Sequence, residues 1–169
     1  MIMDFKTTFK TITNSDVFLD FKKKYQNAEL VAGFFILDFL NNNNNQKSLD
    51  YKKGENIYTF SINERKEISL TEDKLIEDNT KPPLTKISSD IIIDLDEIPS
   101  IAEQQAEKYN IKSKFQKIIA VLQIYDNKQV WNLTCILEGL IILNILIDSE
   151  TEEIVKFDRK SMADFVRKA

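Results

Sequence analysis

The sequence predicts an α+β fold made of two consecutive units, each a helix followed by an antiparallel meander. Three observations carry this expectation. Residues 116–157 form the most apolar stretch of the chain, cut by very short turn signals into strand-length runs. A second run, at residues 29–39, is apolar on both alternating faces, and a helix-spaced apolar stripe precedes each run. A polar, proline-bearing segment then separates an N-terminal half, residues 1–84, from a C-terminal half, residues 85–169.

In residues 4–11, Phe5, Phe9 and the following Ile12 stand at i, i+4 and i+7, the spacing of a short amphipathic helix. Thr13, Asn14, Ser15 and Asp16 interrupt it with capping chemistry, and Val17, Phe18, Phe21 and Tyr25 continue the stripe on a second segment. Residues 29–39 read as a central strand. The asparagine run at residues 41–45 and Gln46 carry no hydrophobic surface and read as a loop tip. Strands at residues 47–51 and 56–63 flank the turn Lys53-Gly54-Glu55, with Tyr58, Phe60 and Ile62 on one face, and residues 67–70 add a short strand. Residues 71–89, with Pro82 and Pro83, read as the linker.

Three carboxylates, Asp94, Asp96 and Glu97, open the second half. They invite a metal or general-acid reading, but capping explains them better: Asp96 as N-cap puts Pro99 at the third helical position, where no N–H is needed. Ile98, Ile101, Ala102, Gln105 and Tyr109 then form the stripe of a helix ending near Asn110. Strands are expected at residues 118–125, 129–137, 140–147 and 153–157. Asp126-Asn127-Lys128 and Glu138-Gly139 supply the turns, since Asn, Asp and Gly tolerate positive φ. Residues 158–169 carry Met162, Phe165 and Val166 among charges and read as a short amphipathic helix or tail.

Composition narrows the function classes. The 169 residues are 43% hydrophobic and 30% charged, a globular profile, with a formal net charge of −4 that argues against nucleic acid. Lys22, Lys23 and Lys24 form the one local basic cluster and read as the solvated face of a helix. Histidine is absent and Cys135 is the single cysteine, so His-based nucleophile pairings, thiolate zinc sites and an internal disulfide are excluded. Residues 133–147 give about fifteen mainly apolar positions where a spanning helix wants ~20, so a buried sheet is expected and not a membrane span. The opening residues lack the pattern of a secretory leader, and the expected location is the cytoplasm. No catalytic, cofactor-binding or metal-ligating set stands out. Asp148, Glu150, Glu152 and Glu153 lack the turn glycine and distant glutamate of a calcium loop and read as a surface turn.

Val130-Trp131-Asn132-Leu133, and the run from Ile147 through Asp148, Ser149, Glu150, Thr151, Glu152 and Glu153 to Ile154, resemble the PepSY domain, with its strand-turn-strand signature ending in Asp-x-x-Thr-Gly-Glu. The match covers about residues 90–157, and Glu152 stands where the family has glycine. The whole chain is similar to small archaeal proteins with a PepSY-like C-terminal half. This resemblance implies a helix packed on a small antiparallel sheet, and a non-catalytic interaction or regulatory role with a peptidase, another protein or a second copy as partner. The order of elements in the two halves is the same, as in an internal duplication.

Two functions compete. The first is the non-enzymatic interaction module. Ile119, Val121, Ile141, Leu143, Ile145 and Ile147 alternate with Ile118, Ala120, Leu122, Ile124, Leu140, Ile142 and Leu146, so both faces of the meander are mainly apolar and one short helix cannot cover two faces. The halves are therefore expected to meet face to face or to join edge to edge under shared helices, with self-association as the other way to hide the excess. The second is a carrier or sensor of a small apolar ligand, its pocket lined by Phe34, Phe35 and Trp131.

Overall fold

The computed structural model describes residues 4–76 and 83–161. The expected residues Pro82, Met162, Phe165 and Val166 lie outside them.

The chain is α+β, and its described residues form three α-helices and one eight-stranded antiparallel sheet. Helices α1 (Phe5–Thr13) and α2 (Asp16–Lys24) precede β1 (Glu29–Asp38), β2 (Gln46–Lys53), β3 (Asn56–Ile62) and β4 (Ile68–Lys74). Helix α3 (Ile98–Lys108) precedes β5 (Phe115–Tyr125), β6 (Lys128–Leu137), β7 (Ile141–Asp148) and β8 (Ile154–Ser161). The sheet order is β4-β3-β2-β1-β5-β6-β7-β8. Of the two expected ways to close the apolar excess, the chain takes the edge-to-edge one. Strand β1 pairs with β5 from Gly33↔Leu122 to Asp38↔Lys117, so the halves share one sheet and one continuous core.

Turn chemistry fixes the meanders. Asp126 and Asn127 have φ of 49° and 64°, and Gly54 and Gly139 have 60° and 88°, as the hairpin positions require. Leu140 joins the second of these turns at φ 63° and is 61% exposed, so β7 starts one residue later than the sequence predicts.

Helices α1, α2 and α3 all lie on one face of the sheet. Phe5 of α1 meets Phe35 and Trp131 edge-on at centroid separations of 6.2 and 6.3 Å. Phe18 and Phe21 of α2 pack on Tyr51, Tyr58 and Phe60, which line up across β2 and β3. Ile98, Ala102 and Ala106 of α3 join the same core, and Tyr109 at its end stacks on Phe157 at 4.2 Å. Tyr109 is otherwise exposed, so it is a lid on β8 and not the buried end of the stripe.

Three expectations about element ends are corrected. The N-cap of α3 is Glu97, without a side-chain cap bond, and Asp96 is not the cap; Pro99 sits in the first turn. Strand β4 continues to Lys74, because its partner β3 offers a full ladder from Ile62↔Ile68 to Asn56↔Lys74. Residues 158–161 extend β8 as a strand, paired to β7 out to Ile141↔Ser161, and are not helical. The asparagine run is a loop containing a single 3-10 turn, Asn42–Asn44, held by the Asp38 carboxylate through Leu40 N, Asn41 N and Asn44 Nδ2. Those donors, first the Asn41 N–H, hold the Asp38 carboxyl below its ordinary range against the opposing effect of burial.

Candidate functional site

The pleat of a strand sends alternate residues to opposite faces, and among the described residues all helices lie on one side and none on the other. Cross-strand registers assign it. One row runs Phe34, Val121, Asn132, Leu146 and Lys156, and the next runs Ile36, Ile119, Thr134, Asn144 and Asp158. A third holds Asp38, Lys117, Ile136, Ile142 and Lys160. Phe34, Ile36, Ile119, Val121, Ile136 and Ile142 are each half-buried, Leu146 and Val130 on the same face are buried, and among the described residues no helix packs over them. Within this field Asn144 donates through Nδ2 to Asn132 Oδ1 and to the Leu133 carbonyl, both at 3.0 Å. The Lys117 ammonium stands 4.0 Å from the Asp38 carboxylate.

The flanks of the open face are polar. On β2, β3 and β4 it carries Ser48, Ser61 and Ser69 in one row and Asp50, Thr59 and Thr71 in the next. The Thr59 hydroxyl donates to Asp50 at 2.6 Å. Burial raises the Asp50 carboxyl above its ordinary value; this bond opposes the shift and nearby Asp73 adds to it.

The aromatic residues expected to line one pocket are not brought together. Phe35 and Trp131 are fully buried core, and Phe34 points to the opposite face. The indole N–H of Trp131 donates to the Ile93 carbonyl at 2.8 Å, a structural bond in the interior.

The carboxylates are also explained by structure. Asp94 does cap a helix, but the helix is α1: its two oxygens accept from Phe5 N at 2.6 Å and Lys6 N at 3.1 Å. Asp148 accepts from Glu150 N and Thr151 N inside its own turn. Among the described residues no group of three or more metal-ligating side chains converges. Lys22 donates to the Gln26 and Ala28 carbonyls, and Lys24 lies over the Tyr25 ring at 5.3 Å, so the lysine cluster closes the end of α2. Cys135 is buried within β6, and desolvation pushes its thiol up to about 12, which keeps it protonated and unreactive.

Sequence reasoning missed an open cleft of about 1080 Å³ where α1, α2 and the linker meet the sheet. Its floor is Leu30 and Tyr51, paired across β1 and β2, and its upper walls are Phe9 and Phe18. Apolar spacing marks these residues as core; only the tertiary path of the linker leaves a gap above them.

No family model matches the chain, and no curated protein matches it. Among solved structures it is similar to a Clostridium difficile 630 protein described as a "putative lipoprotein", at 18% identity and a TM-score of 0.59, over 86% of this chain and 91% of that one. At this identity the likeness is one of fold.

Proposed function

We propose that this protein is a non-enzymatic interaction module that uses the open face of its sheet to pair with another protein surface, in the first instance a second copy of itself. The observation that carries the reading is the row arrangement of Phe34, Ile36, Ile119 and Val121 at the middle of the sheet, on the side that no helix covers among the described residues. Partly exposed apolar side chains at the centre of a sheet, with polar residues around them, are a common layout of a contact surface.

Charge favours a second copy. A two-fold axis parallel to the strands lays the β2-to-β4 flank of one copy over the β8 flank of the other. The first flank carries Asp50 and Asp73 in excess over Lys52, and the second carries Lys156 and Lys160 in excess over Asp158. The apolar centres then meet, and opposite charges meet at both rims. The PepSY-like resemblance supports a non-catalytic role of this kind. Reading the two helix-and-meander halves as copies of one ancestral unit belongs to the same proposal.

Sedimentation velocity over a wide concentration range tests it. Wild type should show a concentration-dependent dimer, and the double substitution Ile119→Lys, Val121→Lys should be monomeric with an unchanged circular dichroism spectrum. A wild type that stays monomeric at the highest concentration, or a variant that dimerises equally, removes self-pairing.

A further inference from the structure

We draw no further inference here: the strongest candidate, the outer edge of β4 beside α2, where the exposed apolar side chains of Val17 and Leu70 flank a shallow groove, lies open to solvent, and nothing in the structure shows what covers it.

Discussion

The Asp94 carboxylate accepts the backbone N–H of Phe5 at 2.6 Å, across 89 residues of sequence, and thereby fixes the first turn of α1 to the segment that leads into the second half. Its other oxygen takes the Lys6 N–H, and Asp4 takes the Thr7 N–H, so the first free amides of the helix are satisfied from two directions. Phe5, held in this way, presents its ring to both Phe35 and Trp131.

Replacing Asp94 with alanine removes that cap from a buried position. The expected loss is ~1–2 kcal/mol, as for N-cap removal, read as a lower urea midpoint with an unchanged slope. Asp94→Asn keeps one acceptor oxygen and should recover part of the loss. A midpoint unchanged in the alanine variant would show that α1 is held by its apolar face alone.

Glu152 has φ of 66°, in the region that disfavours a side chain. The turn is held in that shape by Asp148, through Glu150 N and Thr151 N, and by the Glu152 N–H on the Asp148 carbonyl. A non-glycine residue there costs ~1 kcal/mol, so Glu152→Gly should raise the melting temperature despite the greater freedom glycine gives the unfolded chain. Lower stability in that variant would mean that the Glu152 side chain contributes more than its backbone costs.

Asp50 gives a pH signature. Burial raises its carboxyl in the folded chain, so folding favours the protonated form. Its contribution is fully present below the unfolded pKa and is lost as pH rises through the raised folded value. Asp50→Asn can still accept from Thr59 and carries no charge. The variant should match wild type in acid and become the more stable of the two toward neutral pH, as followed by thermal melts between acid and neutrality. A constant difference across that range would contradict the assignment.

Much of this architecture is legible in the sequence, because local chemistry dictates it. Asp126-Asn127 and the glycines at 54 and 139 mark turns that only such residues adopt without strain, and alternation in β2 and β3 correctly puts Tyr58, Phe60 and Ile62 on the buried face. What the sequence hides is partnership. The capping chemistry of Asp94 is visible, yet its helix is distant, and a cap at Asp96 is the natural misreading. Phe34 and Phe35 look alike as neighbours in an apolar run, and only the position of the helices makes Phe35 core and Phe34 open face. The cleft over Tyr51 depends on where the linker is pinned, which no local pattern encodes.

The β1–β5 ladder is the joint between the halves. Expressed alone, residues 86–169 would keep β5 to β8 but lose β1, whose ladder with β5 runs over six residue pairs from Gly33↔Leu122 to Asp38↔Lys117. The freed edge of β5 is long and carries Ile118, Ile119, Ala120 and Val121, the kind of unprotected edge that pairs with other chains. The same cut strips Phe5 from the Trp131 ring and the α1 amides from Asp94, leaving a buried carboxylate without those partners. The fragment should therefore aggregate or melt without a sharp transition, while the full chain unfolds in one cooperative step by calorimetry. A soluble, monomeric, sharply melting fragment would show instead that β5 and Trp131 are stable without the N-terminal half, and that the shared sheet joins two bodies able to fold apart.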